Sequence, residues 1–167
     1  MSVPSPLDLD AIRASMDSLG AAGLQIPPPA FTSMDAEVLD YRPGEPETNL
    51  GAVLVVRVPN APRWQNPMGL MQGGALGMAV DNAVGPLSYL VAPPSSTTQL
   101  ALTYLAPVTP DLEAVTVEAT FVHRSGRQLV FDAEVRGPDG AVLTVARATC
   151  QVVRRPPTAA ASGGDAA

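Results

Sequence analysis

No lysine occurs in the 167 residues; all ten basic side chains are arginine, and histidine and cysteine occur once each, as His123 and Cys150. Without lysine there is no Walker A loop and no Schiff-base enzyme. One histidine and one cysteine do not assemble a zinc site of the usual kind, so no metal is expected. A lone cysteine makes no intrachain disulfide and gives no reason to expect an oxidising compartment. Acidic residues outnumber basic ones by 16 to 10, for a net charge of −6. That balance lacks the basic face of a general nucleic-acid binder. Long apolar runs are missing too. The least polar stretch, 67–94, holds Gln72, Asp81 and Asn82 and is rich in glycine and proline, so no membrane span is expected. The N-terminus has no charged start followed by an apolar run; Arg13 comes late, among Asp8, Asp10 and Asp17. A soluble, cytoplasmic protein is the expectation.

What is present suits one domain with a sizeable core. Residues 1–30 read as a proline-rich arm around one short helix, 7–19, whose Leu9, Ile12, Met16 and Leu19 fall on a single face. Residues 156–167 are proline, alanine, serine and glycine with one aspartate, and are expected to be disordered. The domain lies between them, over 31–155. A weak strand is expected at 34–42 and a strong one at 50–58, followed by a loop over 59–69. The stretch 73–90 reads as a helix. Ala75, Leu76, Met78, Ala79, Val80, Ala83, Val84 and Leu87 leave it almost no polar face, which predicts burial on all sides. Pro86 predicts a kink or an early end. Strands are expected at 97–105, 115–123, 128–136 and 141–153, with hairpin turns at Arg124-Ser125-Gly126-Arg127 and Gly137-Pro138-Asp139-Gly140. Long antiparallel strands around one apolar helix make an α+β layout in which the sheet wraps the helix.

Asp81 is the only carboxylate between Glu47 and Asp111. Aspartate is a poor residue for a helix interior, and burying its charge is costly unless it is paired. Desolvation would push its pKa upward, the condition for a general base near neutral pH. The alternative is an aspartate that caps a neighbouring backbone group. Asn82 and Thr97 are candidate partners for it. At the helix start, Met71-Gln72-Gly73-Gly74 exposes the first backbone N–H groups without side-chain cover. Such donors, at the positive end of the macrodipole, suit a developing oxyanion. A tight turn would need the same glycines for backbone reasons alone. Gly73 and Asp81 are eight residues apart, about 12 Å along a helix. One reacting carbon needs its partners within about 3–3.5 Å. If both residues are catalytic, each must work with its counterpart from another subunit.

The run from Asn66 to Gly74, followed by Ala79-Val80-Asp81-Asn82-Ala83, resembles the hotdog-fold acyl-CoA thioesterases of the PaaI type. That family shows an asparagine, His-Gly-Gly six residues on, and an aspartate nine residues after the histidine. Asn66, Gln72 and Asp81 keep both spacings. Thr97 to Pro107 resembles the family's strand after the helix, and both hairpin turns fall where its turns lie; the match spans 34–154. The resemblance implies a hotdog fold and hydrolysis of an acyl-CoA or acyl carrier protein thioester, without cofactor. It implies a homodimer or homotetramer with sites at the subunit interface. Asp81 would activate water or attack the thioester, and the Gly73 N–H would polarise its carbonyl. Asn66 would orient thioester or water, and Thr97 would position water beside the acid. Gly74, Met71, Arg124 and Arg127 would contact substrate, the arginines through coenzyme A phosphates, with Arg63 or Arg154 as alternatives.

Gln72 departs from the family, standing where the histidine would be. Its amide donates a hydrogen bond but carries no proton. A thiol leaving group with a pKa of about 8.5 needs little protonation, so activity is expected to survive. The rivals are an acyl-CoA-binding hotdog protein without turnover and a hotdog hydratase or dehydratase. The latter needs a histidine with an acid, and His123 lies far along the chain, at a strand end in its apolar phase. There it is expected to be a partly buried structural residue. Cys150 is expected to pack as a small apolar side chain. Met68, Leu70, Met71, Met78 and Leu87 are candidates for an acyl pocket or equally for core.

Overall fold

The computed structural model describes residues 25–153; the expected arm helix at 7–19, the tail at 156–167 and Arg154 lie outside them. A short helix α1 (Pro29–Ser33) precedes strand β1 (Glu37–Arg42). Then come β2 (Val53–Pro59), a 3₁₀ turn at Pro62–Trp64 and the long helix α2 (Gly73–Val91). The chain closes with β3 (Ser95–Tyr104), β4 (Ala114–Ser125), β5 (Gln128–Arg136) and β6 (Val142–Val152). The strands form one sheet in the order β1-β2-β4-β5-β6-β3, with every neighbour antiparallel. One face of the sheet curves around α2, as the α+β expectation required.

Alternation decides that face. In β2, Leu54, Val56 and Val58 are buried, and in β4 Val115, Val117, Ala119 and Phe121; β5 adds Leu129, Phe131, Ala133 and Val135. The register stacks these into cross-strand rows. Ala119 pairs with Ala133, which pairs with Ala146, a row of small side chains that lets α2 lie close. The next row fills the space beside it. There Phe121 faces Phe131 with ring centroids 5.2 Å apart, a tilted aromatic pair.

Four expectations change. The expected strand from Met34 begins only at Glu37: Met34 is buried, but as the cap of α1. Residues 50 and 51 belong to a turn, with Asn49 and Gly51 at positive φ, and the strand begins only at Val53. Pro86 does not end α2, which continues to Val91. A proline lacks only the N–H that would bond four residues back, so the helix loses one bond and goes on. Finally, α2 is not buried on all sides. Gly74 and Asp81 are exposed and Gly77, Met78 and Gly85 half-buried, so one stripe of the helix faces away from its own sheet.

Candidate active site

The loop before α2 folds back on itself. Gln65 bridges Met71, the Gln72 N–H donates to the Trp64 carbonyl at 2.8 Å, and the Asn66 N–H donates to the Leu70 carbonyl at 2.7 Å. Asn66 sits at the tip, where its Oδ1 accepts the N–H groups of Met68 and Leu70 at 2.9 and 3.1 Å. That Asx turn fixes the side chain and leaves the Nδ2 protons for another acceptor. Gln72 caps α2 with its backbone only; its carbonyl accepts from Ala75 and Leu76, and its side chain makes no cap bond. Among the described residues no acceptor meets the N–H groups of Gly73 and Gly74. They are the open donors that a helix start supplies.

Tyr104 is a neighbour of the site that the sequence pattern does not announce. From the end of β3 its hydroxyl donates to the Gly73 carbonyl at 2.9 Å. A Cβ on Gly73 would lie 2.8 Å from that hydroxyl oxygen, so glycine there is a condition of close approach. Met71 is a core residue whose N–H donates to the Val108 carbonyl. Its side chain is buried with the core and is not presented outward to a ligand. Of the other apolar candidates, Leu87 is core and Met68 is exposed on the loop.

Two turns along α2 stands the second group. Thr97 donates its hydroxyl to Asp81 Oδ1 at 2.8 Å. A β-bulge between Thr97 and Gln99 in the pairing with β6 re-aims this part of β3. The expected burial of Asp81 is not supplied by its own chain: the residue is exposed because it falls on the uncovered stripe of α2. Behind Thr97 lies Cys150, its sulfur 3.7 Å from the threonine oxygen. Burial pushes the Cys150 thiol above its ordinary pKa, and the nearby Asp81 charge adds to the rise. The Tyr89 hydroxyl is raised for the same reasons, burial first, then Cys150 and Asp81. Asp81 and Thr97 stand at one side of a cavity of about 670 Å³, walled by Ile26, Pro27, Phe31, Val38 and Pro86.

A second bulge decides which charges share this face. The β4–β5 register shifts between Phe121 and His123. Val122 is the extra residue, and strict alternation fails there. His123 therefore pairs with Val130 on the outer face and is exposed, not a half-buried core residue. Arg124 moves to the inner face. It pairs with Leu129, Leu129 with Cys150, and Cys150 with Thr97, one row across four strands. Three strand spacings place Arg124 roughly 14 Å from Thr97, on the face that carries Asp81. Its Nε donates to the Gly126 carbonyl at 3.1 Å, and Arg127 is exposed in the same turn. Arg63 is engaged elsewhere, in an ion pair with Asp35 and over the Trp64 ring.

The structure thus sorts the expected residues into two groups on one chain. Asn66, Gln72, Gly73 and Gly74 cluster at the start of α2; Asp81, Thr97 and the cavity lie farther along it, at the sheet end that carries Arg124 and Arg127. Among the described residues no cluster of three metal-ligating side chains occurs, and no helix is long and apolar enough to cross a membrane.

Neither a family model nor a curated protein matches the sequence. Solved structures do match in shape. The PaaI protein of the phenylacetic acid degradation operon of E. coli superposes with a TM-score of 0.69 at 13% identity, over 86% of this chain and 96% of that one. A mutant thioesterase from Pseudomonas aeruginosa gives 0.67 at 20% identity, over 89% and 96%. A Streptococcus mutans protein bound to acetyl CoA gives 0.62 at 18%, over 72% and 90%. The sheet order, the long helix α2 against the sheet and these superpositions establish the hotdog fold.

Proposed function

We propose that the protein is a thioesterase that hydrolyses an acyl-CoA, or an acyl carrier protein thioester, to the free acid and thiol. One observation carries the reading: a carboxylate, Asp81, oriented by the Thr97 hydroxyl at the side of an apolar cavity. In the proposed reaction Asp81 takes a proton from water as the water oxygen bonds to the thioester carbonyl carbon. The carbonyl oxygen becomes an oxyanion, held by the Gly73 N–H and the free Asn66 amide. Collapse of that intermediate breaks the carbon–sulfur bond and releases thiolate, which needs little help in leaving. Gln72 supplies a donor and no proton.

In this reading the spacing along α2 calls for two chains. Gly73 and Asp81 lie about 12 Å apart on one rigid helix, so in this reading Gly73 and Asn66 of one copy meet Asp81 and Thr97 of another. Homologous copies packed on the open stripe of α2 would also cover Asp81. Arg124 and Arg127 fit the phosphates of coenzyme A, which an acidic protein otherwise repels. The similarity to a thioesterase and to an acetyl CoA-bound protein of the same fold supports this class of substrate.

A second reading is favoured by Gln72, which replaces the histidine of the resembled motif with a group that carries no proton: an acyl-CoA-binding protein without turnover. A hydratase has less support, because His123 faces away from the cavity on the outer side of the sheet. Release of free thiol from aliphatic and aromatic acyl-CoAs, with Asp81→Asn beside wild type, separates the readings. A positioned base contributes about 10²–10⁴-fold, and the variant should lose that much. Equal rates would remove Asp81 from the chemistry. No thiol from any thioester, with binding intact, would establish the binding protein instead.

A further inference from the structure

The cavity beside Asp81 has three sides, and each comes from a different part of the chain. Helix α2 gives Asn82, Gly85, Pro86 and Tyr89, and β3 gives Ser95 to Thr97. The third side is the segment ahead of β1: Ile26, Pro27, Pro28 and Phe31. Gly85 helps to keep the space open, since a Cβ built there meets nothing within 4 Å.

The N-terminal wall is weakly held by packing. Helix α1 has five residues and none is buried; Phe31 only rests against the core. Among the described residues, two polar tethers hold it. At its end, Arg63 donates to the Ser33 carbonyl and pairs with Asp35. In its middle, the Asn82 amide donates to the Ala30 carbonyl at 3.2 Å. Asn82 is 6% exposed. Asparagine is a poor helix former, and an amide is costly to bury without a partner. Its partner is the backbone of the wall, one residue along the helix from Asp81.

We infer that the segment 26–31 is the selectivity wall of the acyl subsite, and that Asn82 is the positioning residue that sets how far it closes. This rests on the thioesterase reading for the identity of the ligand. The carbonyl at Asp81 directs the remaining acyl carbons into the cavity, whose wall is isoleucine, proline and phenylalanine. The subsite therefore takes a bulky apolar acyl group in preference to acetyl, and its upper size limit is set by the tether.

The test uses 2-oxoalkyl-CoA thioethers, which keep the carbonyl and have no scissile thioester, with two-, eight- and fourteen-carbon acyl portions. Calorimetry should show the eight-carbon probe bound at least about tenfold more tightly than the two-carbon one, and the fourteen-carbon probe disfavoured. Asn82→Leu, which keeps the bulk and loses the donor, should raise the fourteen-to-eight affinity ratio about tenfold. Phe31→Ala should act in the same direction and Phe31→Trp in the opposite one. Since α1 buries no residue, the Phe31 pair carries the test if Asn82→Leu does not fold. Equal binding of all three probes by wild type, or a ratio unchanged in the variants, overturns the proposal. The probes are never turned over, so a wall-dependent ratio with no thiol release supports the wall and removes only the hydrolase. Thiol release with a fixed ratio does the reverse.

Discussion

Replacing Gly73 by alanine separates the chemistry of the α2 start from its packing. The added methyl would stand 2.8 Å from the Tyr104 hydroxyl oxygen and 2.9 Å from the ring carbon that bears it. Tyr104 must swing away, and its hydrogen bond to the Gly73 carbonyl is lost. Tyr104 is 52% exposed, so the ring moves into solvent without unpacking the core. The lost bond costs about 1 kcal/mol. Alanine in place of glycine returns up to about 1 kcal/mol of helix propensity, less in the first turn. The sum lies near zero, a change of only a few degrees in Tm. Turnover should respond quite differently. The methyl crowds the N–H proposed to hold the oxyanion, and the peptide loses the phenol that fixes its tilt. Loss of one oxyanion donor costs about 10²–10³ in rate. The assay is thiol release from one acyl-CoA, beside a thermal melt, with Gly74→Ala as companion because a Cβ there meets nothing in its own chain. A Gly73→Ala variant that melts normally and keeps more than about a tenth of wild-type kcat would refute the oxyanion role. Rescue of activity by removing the Tyr104 ring in the same variant would show that crowding alone was responsible.

Arg124→Gln should raise KM for an acyl-CoA about three- to tenfold, the low range suiting an exposed charge. It should leave the matching N-acetylcysteamine thioester, which has no phosphates, much less affected; an equal effect on both would remove the phosphate contact. Cys150 gives a pH prediction. Its thiol is raised above the ordinary 9.0, mainly by burial, so folding favours the neutral form. That contribution is complete below the unfolded pKa and is lost as pH rises through the higher folded value. Stability should therefore fall as pH rises above the ordinary value of 9.0, less so in Cys150→Ala, and iodoacetamide should label the native thiol far more slowly than the denatured one. Native labelling at the denatured rate would contradict the burial.

Much of this architecture is legible because its signals are local. Gly73-Gly74 opens α2 and Ala92-Pro93-Pro94 closes it, so the helix expected at 73–90 ends within one residue of its place. Strand β5 alternates without interruption and has the expected bounds, Gln128–Arg136. Bulges are not local signals. Val122 is β-branched and follows a strand in perfect alternation, and nothing in its type announces that the ladder skips it. One unannounced residue carries His123 off the inner face and Arg124 onto it, reversing which of the two can serve a ligand. The exposure of Asp81 was hidden for a different reason. Apolarity on nearly every side of α2 predicts burial all round, whereas the described residues cover only the sheet side; in the proposed reading a second copy covers the rest. Tyr104 carries no local signal of its role, because an aromatic at a strand end reads as core, and only the fold brings its hydroxyl to the Gly73 carbonyl.

The division of the candidate site into two groups leads to a complementation that no single-chain site would give. Asp81→Asn damages the acid group and leaves the α2 start intact; Gly73→Ala does the opposite. If each catalytic centre draws its acid from one copy and its oxyanion donor from another, a mixed dimer holds one centre with both defects and one with neither. Random reassortment of equal amounts makes about half of all dimers mixed, so the mixture should recover about a quarter of wild-type activity from two nearly inactive parents. The exposed apolar side chains Met68, Tyr104 and Leu105 around the α2 start, and the open stripe of Gly74 and Asp81 along it, are where such a pairing would bury surface. Co-refolding the two variants and measuring thiol release decides the matter. Activity that stays at the mean of the two parents, while mass measurement shows mixed oligomers, would mean that the centre is not shared. The 12 Å along α2 would then have to be bridged within one chain, against the rigidity of the helix that separates the two groups.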